Sequence, residues 1–120
     1  MTIRTRRSKP PVLLREPYKA HRGGREVCGK DAAGRAEYNR RREFCWDRDR
    51  GICCLCGRFV PLEQATMEHL NGRGLGGSKR DDRPQSCGVA HWFGNNAKGS
   101  MSYALYMEKP LEERIRLCHP

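Results

Sequence analysis

The chain carries near its centre the stretch Cys53-Cys54-Leu55-Cys56-Gly57. Within it, Cys53 and Cys56 have the Cys-x-x-Cys spacing of a knuckle that turns two thiolates toward one ion. Zinc prefers four such soft ligands in a tetrahedron. The competing interpretation is a thioredoxin-like redox pair, which needs a βαβ context that this chain is too short and too irregular to supply. The stretch therefore predicts a zinc knuckle.

The other half of such a zinc site has to come from downstream. The stretch Cys87-Gly88-Val89-Ala90-His91 offers a cysteine and a histidine with three residues between them, a spacing similar to the second ligand pair of many zinc modules. The predicted ligands of a structural Zn²⁺ are Cys53, Cys56, Cys87 and His91. We interpret the remaining cysteines as buried apolar residues or free thiols, with Cys54 able to displace a neighbour as ligand. These are Cys28, Cys45, Cys54 and Cys118.

Length and charge limit the possible classes of protein. The chain has 120 residues, which suits one domain, and a domain this small needs a staple such as a metal ion or a partner. Its 24 Lys and Arg against 14 Asp and Glu give a net charge of +10, which favours nucleic acid as a partner. Residues 1–30 hold nine Lys or Arg and two Glu, +7 of that total. We interpret 1–30 as a basic, extended arm, either a DNA contact or a solvated tail, and 31–120 as the folded domain.

The chain shows no targeting or membrane signal. The apolar run near its start, Val12-Leu13-Leu14, is too short for a signal-peptide core, and no run of roughly twenty apolar residues could span a bilayer. We therefore expect a cytoplasmic, reduced protein with no membrane contact. In that compartment a close cysteine pair indicates metal binding before it indicates a disulfide. A homodimer is left open.

Local patterns predict several elements. Asp31 is a candidate N-cap for a helix that ends before Gly51, with Arg40-Arg41-Arg42 on a solvated face or, alternatively, in contact with phosphate. A short hairpin is expected within residues 59–70, a loop over 71–86 and a second helix over 95–107. Pro110 suits the start of a third helix that runs toward Leu117.

Between the two halves of the zinc site lies the pair Glu68-His69. A carboxylate can bind a hard divalent cation, while an imidazole can remove a proton from water near neutral pH. Such a dipeptide alone is usually just a surface pair, so its position along the chain carries the argument. It follows the knuckle and precedes a Gly-rich stretch with Gly76-Gly77 and then Asn95-Asn96-Ala97-Lys98-Gly99.

This order resembles, over residues 48–100, the HNH (His-Me finger) nuclease family in its zinc-containing form. That family's pattern is a Cys-x-x-Cys knuckle, an Asp-His or Glu-His, a Gly-Gly turn, and a second Cys-x-x-Cys followed at once by Asn or His. The resemblance implies an α+β protein, a small ββα-metal domain with a zinc knuckle and flanking helices. It further implies that His69 is the general base and that Glu68 and Asn95 bind a catalytic Mg²⁺ or Mn²⁺.

The sequence departs from the family pattern in two places. Where the second cysteine pair should stand it has His91 and Gly94, so Cys87 has to substitute. His91 could alternatively bind the catalytic ion, because it stands about one helical turn before Asn95. The family's middle Asn, which orients the base, has no clear counterpart. Asp82 lies near its usual place, with Asp81 and Asn71 as alternatives.

The Gly-rich stretch Gly72-Arg73-Gly74-Leu75-Gly76-Gly77 also contains a formal dinucleotide fingerprint, G-x-G-x-x-G. That fingerprint needs a strand before it and a helix straight after it, whereas residues 78–84 are a charged loop. We interpret the glycines as a flexible turn between hairpin strands. The predicted contacts to DNA phosphates, with solvated loop charges as the alternative, are Arg73, Lys79, Arg80 and Lys98.

The sequence thus predicts a DNA endonuclease that hydrolyses phosphodiester bonds with a His69 base and one divalent ion. A different class fits the same knuckle and arm, namely a non-catalytic, zinc-stabilised nucleic-acid-binding module. A pure binder has no need of the set Glu68, His69 and Asn95, and this separates the two classes. A redox or sensor protein that uses free cysteines is the third possibility.

Overall fold

The structure is a computed structural model that describes residues 18–27, 30–70 and 81–120. Short 3₁₀ turns at Leu62–Gln64 and Pro84–Ser86 precede the two strands. The protein is a small α+β structure, which is the coarse class that the sequence predicts. None of the helices in these ranges is long and apolar enough to cross a membrane. The elements are α1 (Ala32–Arg48), β1 (Ala65–His69), β2 (Cys87–His91), α2 (Trp92–Lys98), α3 (Tyr103–Tyr106) and α4 (Leu111–Cys118).

Helix α1 begins and ends where the sequence predicts. The Asp31 side chain accepts a hydrogen bond of 2.7 Å from the Gly34 amide, as an N-cap does. The helix ends at Arg48, because Arg50 and Gly51 adopt positive φ angles of 57° and 72°. A side chain at Gly51 would also collide with the Phe59 ring, since its Cβ would lie 2.6 Å from Cε1. Glycine is therefore required at this turn.

The buried face of α1 is charged, which the sequence did not suggest. Glu37, Arg41 and Arg48 recur at helical spacing and all three are buried. The expectation that Arg40-Arg41-Arg42 forms a solvated face is therefore wrong for Arg41, which is 1% exposed. Its guanidinium is paired, with Nε donating to Glu37 Oε2 at 2.7 Å, and such pairing makes burial of a charge tolerable.

The strands β1 and β2 form a two-stranded antiparallel sheet. Ala65 pairs with His91 at one end and His69 with Cys87 at the other. The predicted hairpin within residues 59–70 is therefore corrected, because β1 takes its partner from beyond the Gly-rich stretch. All five residues of β2 are buried, so this strand lacks the alternation by which strands are found in sequences.

The helices α1 and α2 cover opposite faces of the sheet. Met67 of β1 packs against Cys45 of α1, whereas the neighbouring Thr66 accepts a hydrogen bond from Asn95 of α2. Successive side chains of a strand point to opposite faces, so these contacts place one helix on each side. Because α2 follows β2 without a loop, the end of the strand, the start of the helix and β1 lie close together.

The C-terminal part of the chain contains three short helices. The helix predicted over residues 95–107 is interrupted, because Gly99 ends α2 with a φ of +59° and Ser102 caps a separate α3. The prediction for Pro110 is confirmed, since this residue is the N-cap of α4. Helix α4 packs back on α2 and is tied to the knuckle by a hydrogen bond of 2.8 Å from Arg114 Nη1 to the Leu55 carbonyl.

Candidate functional site: a cysteine and histidine cluster beside a histidine and aspartate cleft

Four buried side chains that could bind a metal ion meet between the knuckle, the end of β2 and the end of α4. Their ligand atoms all lie within 4.8 Å of one another. Three of them, Cys53, Cys56 and His91, were predicted from the sequence, and the fourth is Cys118. The cluster can hold a metal ion such as zinc.

The spacing within the cluster fits a tetrahedral ion. Two sulfurs bound at the usual zinc distance of about 2.3 Å in a tetrahedron lie about 3.8 Å apart. The Sγ atoms of Cys53 and Cys118 are 3.9 Å apart, and Cys56 Sγ lies 3.5 Å from His91 Nδ1. The imidazole of His119 borders the cluster, with Nε2 3.7 Å from Cys56 Sγ.

The surroundings of Cys53 favour the thiolate form that a metal needs, whereas the pKa of Cys56 is raised. Hydrogen bonds from the thiols of Cys118 and Cys56 lower the pKa of Cys53, and the backbone amides of His91 and Leu55 act in the same direction. These amides lie 3.4 Å and 3.3 Å from Cys53 Sγ. Because the thiolate is the ligand, amides that point at sulfur prepare the site for a cation.

Cys87 is not part of this cluster, and its assignment as the fourth zinc ligand is corrected. It begins β2 whereas His91 ends it, so at about 3.3 Å of rise per residue the two lie roughly 13 Å apart along the strand. Cys87 packs instead with Cys45 and Met67, its Sγ 3.5 Å from the Asp81 carbonyl. Burial raises the pKa of this thiol, as in an apolar core position.

Cys118 reaches the cluster because position 94 has no side chain. A Cβ built on Gly94 would collide with the Sγ of Cys118 and would lie 3.3 Å from Leu55 Cδ1. In the HNH pattern that the sequence resembles, the last cysteine would stand at position 94. Here the thiol of Cys118 enters the same space from α4. No local spacing signals this ligand, which lies 65 residues from Cys53.

A second group of polar side chains surrounds His69 on the other end of β1. The Nε2 atom of His69 lies 2.6 Å from Asp82 Oδ1, and both side chains are largely buried. The structure thus brings together the residues expected to serve as base and orienting group. Asp81, the alternative, instead binds Arg83 Nη2 and Ser86 Oγ, each at 2.8 Å, and the other alternative, Asn71, lies outside the described residues.

Asp82 is held in place by the part of the predicted arm that the structure describes. The Val27 amide donates to Asp82 Oδ2 at 2.8 Å, and the Asp82 amide donates to the Arg25 carbonyl. Buried Arg41 donates to the Asp82 carbonyl at 3.2 Å and to the Arg22 carbonyl at 3.3 Å. Residues 18–27, the described part of the predicted arm, form no helix or strand, and residues 19–26 are exposed, but hydrogen bonds tie the segment to α1 and to Asp82.

Glu37 anchors the same segment. Tyr18 donates its hydroxyl and His21 its amide to this carboxylate, at 2.9 Å and 3.1 Å. Burial alone would raise the pKa of Glu37, but the hydrogen bonds, that from Arg41 foremost, lower it to about 2. Neither Glu37 nor Arg41 was singled out as a site residue from the sequence, because neither belongs to a motif.

Glu68 and Asn95 lie at the same cleft, where α2 crosses β1. The amide nitrogen of Asn95 donates to Thr66 Oγ1 at 2.9 Å and to the Met67 carbonyl at 3.0 Å, which leaves Oδ1 as the atom it can offer to an ion. The Glu68 carboxylate is 1% exposed, and its Oε1 has no hydrogen-bond partner among the described residues. Desolvation raises the pKa of this carboxyl group.

Lys98 was predicted to contact DNA, and the structure corrects this. Its ammonium is 3% exposed and is paired with Glu68 Oε2, and it donates to the His69 carbonyl at 3.2 Å. It cannot reach a phosphate without leaving a buried carboxylate unpaired. The other predicted DNA contacts, Arg73, Lys79 and Arg80, lie outside the described residues.

These side chains line an open cleft with a volume of about 630 Å³. Its lining includes His69, Glu68, Asp82, Asn95 and Trp92. A base held by a carboxylate, a second buried carboxylate and an amide oxygen thus share one solvent-accessible space.

No protein-family model, curated protein or solved structure gives a significant match to this chain.

Proposed function

We propose that this protein is a metal-dependent endonuclease that hydrolyses DNA phosphodiester bonds. The observation that carries the proposal is the contact of 2.6 Å between His69 and Asp82 at the wall of an open cleft. A histidine whose second nitrogen is held by a carboxylate is the usual arrangement of a general base. The order β1, β2, α2 is also the order of the ββα-metal domain that the sequence resembles.

His69 activates the attacking water in this proposal. The Asp82 carboxylate accepts a hydrogen bond from Nε2–H, which leaves the lone pair of Nδ1 to take the proton. Asp82 also stabilises the imidazolium that results. The segment 18–27 keeps the carboxylate in position, so the base does not have to be ordered when substrate arrives.

The donor atoms at the cleft fit a hard divalent cation. Glu68 offers a buried carboxylate oxygen without a hydrogen-bond partner among the described residues, and Asn95 offers its amide oxygen. Mg²⁺ or Mn²⁺ bound there would neutralise charge on the phosphate and on the leaving oxygen. The ammonium of Lys98 already neutralises part of the charge of Glu68, so cation and lysine compete for this carboxylate.

The role proposed for the cysteine and histidine cluster is a structural Zn²⁺. It joins the knuckle, the end of β2 and the end of α4, which are distant in the sequence. In a domain of this size such a staple contributes folding free energy directly. It also fixes the point at which α2 begins, and with it Asn95.

A non-catalytic nucleic-acid-binding module is the second candidate, favoured by the ion pair of Glu68 with Lys98. A buried pair of this kind can be purely structural. The experiment that separates the two is incubation of purified, zinc-containing protein with supercoiled plasmid in Mg²⁺, in Mn²⁺ and without either ion. The proposal expects nicked or linear plasmid only with the added ion. Binding of the plasmid without cleavage under all three conditions would favour the non-catalytic nucleic-acid-binding module.

A further inference from the structure

Two adjacent aromatic side chains, Trp92 and Phe93, are exposed at the start of α2. They are each 53% exposed, and their rings meet edge to face at a centroid distance of 5.1 Å. Trp92 and Phe93 are exposed because the buried side of α2 is formed by Gly94 and Lys98, which face α4 and β1. The rotation of α2 is thereby set, and residues 92 and 93 have to point outward.

Trp92 lines two depressions. One is the cleft that contains His69 and Asp82, and the other is a cavity of about 310 Å³. Phe59 and Phe93 line the second cavity, and Phe59 is 57% exposed. An aromatic surface therefore continues directly from the edge of the proposed active site.

Exposed aromatic rings beside a cleft that is proposed to bind DNA suit nucleobases as ligands. Nucleobases stack on such rings, and the stacking tolerates any base sequence because every base has a π face. In an intact duplex both faces of each base are already covered by neighbouring bases, so only an unpaired base can use the ring. The chain's net charge of +10, most of it in residues 1–30, favours a nucleic-acid strand over an apolar protein segment as its partner.

We propose that Trp92 stacks an unpaired nucleobase next to the phosphate held in the cleft. The substrate class is then DNA with unpaired nucleotides at the cleavage position, such as a bulge, a gap or a flap. This inference rests on the proposed endonuclease function, because such DNA is a substrate only if the protein cleaves it. The stacking itself is a binding property and can be measured without cleavage.

The test compares two DNA ligands that share the same duplex arms and differ only in a short unpaired bulge. Binding is measured by fluorescence anisotropy with the full-length protein and no added Mg²⁺ or Mn²⁺. The variants are Trp92→Leu, which removes the aromatic ring, and Trp92→Phe, which keeps one. Leu105→Ala is the matched control, because Leu105 is also 53% exposed but lines neither depression. Zinc content and circular dichroism show that each variant is folded.

We expect the wild type to bind the bulged ligand about tenfold or more tightly than the paired one, in line with the usual contribution of one stacked base. Trp92→Leu should lose this preference and keep its affinity for the paired duplex. Trp92→Phe should retain part of the preference, and Leu105→Ala all of it. Quenching of tryptophan emission by the bulged ligand, absent in Trp92→Leu, should accompany binding.

Equal affinity of the wild type for both ligands would overturn the inference, as would an unchanged preference in Trp92→Leu. Loss of a dimer in Trp92→Leu with no change in DNA preference would overturn it too, and would assign this face to contact between copies of the chain. A bulge preference without any cleavage in Mg²⁺ or Mn²⁺ would support the stacking and remove the endonuclease. Cleavage without a bulge preference would support the endonuclease function and overturn the stacking.

Discussion

The thiol of Cys118 fills the space that a side chain at Gly94 would need. The two residues belong to different helices, α4 and α2, and their contact brings a fourth candidate metal ligand to Cys53, Cys56 and His91. The position of Cys118 thus depends on the absence of a side chain at Gly94, which lies 24 residues earlier in the chain.

Removal of Cys118 should abolish metal binding, whereas removal of Cys87 should not. We expect the wild type to hold roughly one zinc per chain, and Cys118→Ser to lose both this zinc and its cooperative thermal transition. Cys87→Ser should keep its zinc, because Cys87 packs with Cys45 and Met67. Elemental analysis and thermal unfolding measure both. Zinc retained by Cys118→Ser would disprove this ligand set.

The same relationship predicts that the ligand can be moved. In Gly94→Cys combined with Cys118→Ala, the new thiol starts from the place that the old one occupied. We expect the double variant to regain zinc that Cys118→Ala alone does not hold. Gly94→Ala in the wild-type background should lower stability, because its methyl group collides with Cys118. Equal zinc content in Cys118→Ala and the double variant would contradict the geometry.

His69→Ala should abolish cleavage and leave DNA affinity nearly unchanged. The imidazole acts on water, while binding depends mainly on contacts between basic residues and phosphates. Plasmid nicking and gel-shift assays on one preparation measure the two properties. The control is His21→Ala, because His21 is exposed and does not line the cleft, and it binds Glu37 through its backbone amide. Undiminished nicking by His69→Ala would refute the assignment of the base.

Two truncations should separate charge from positioning in the N-terminal region. Removal of residues 1–17 deletes five Lys or Arg and keeps residues 18–27, which bind Glu37 and Asp82. It should weaken binding of every DNA sequence and lower the slope of log affinity against log salt by about one unit per lost phosphate contact. Removal of residues 1–27 should in addition collapse the single-turnover rate, because Asp82 loses Val27 and Arg25. Equal single-turnover rates in both truncations would show that the segment does not position Asp82.

Lys98→Met should expose the competition for Glu68. Without the ammonium, the buried carboxylate is unpaired, and the thermal transition should fall by the equivalent of about 3–5 kcal/mol in buffer without divalent ions. Added Mn²⁺ should restore part of it, and more in this variant than in the wild type. Combining Lys98→Met with Glu68→Gln should recover stability without Mn²⁺. If Mn²⁺ stabilises the double variant as strongly as it stabilises Lys98→Met, Glu68 does not bind the ion.

Glu37 should make the protein sensitive to acid. Its pKa is lowered from 4.5 to about 2, so its stabilising effect is complete above about pH 4.5 and is lost as the pH falls toward 2. The shift corresponds to roughly 3 kcal/mol in the free energy of unfolding. Glu37→Gln should lower stability at neutral pH and flatten the loss between pH 4.5 and 2, whereas Glu63→Gln, at an exposed position, should do neither. Denaturant unfolding at a series of pH values tests this, and equal slopes for the two variants would contradict it.

Residues close in the chain were predicted well from the sequence. The cap at Asp31, the start of α4 at Pro110 and the contribution of Cys53 and Cys56 to one cluster all depend on spacings of a few residues. At that range the backbone geometry of helices and turns leaves few alternatives. The strand β2 was missed because it is buried on both sides and shows no period.

Only the tertiary structure decided which distant residues complete each site. Cys87 and Cys118 are both buried thiols, and the choice between them depends on how α4 packs over Gly94. Arg41 looks like one of three surface arginines in the sequence, yet the packing of 18–27 and Asp82 around α1 encloses it. The sequence by itself determined which chemical groups are present and their local spacing. The contacts between distant segments depend on the packing of the whole chain, which no local pattern encodes.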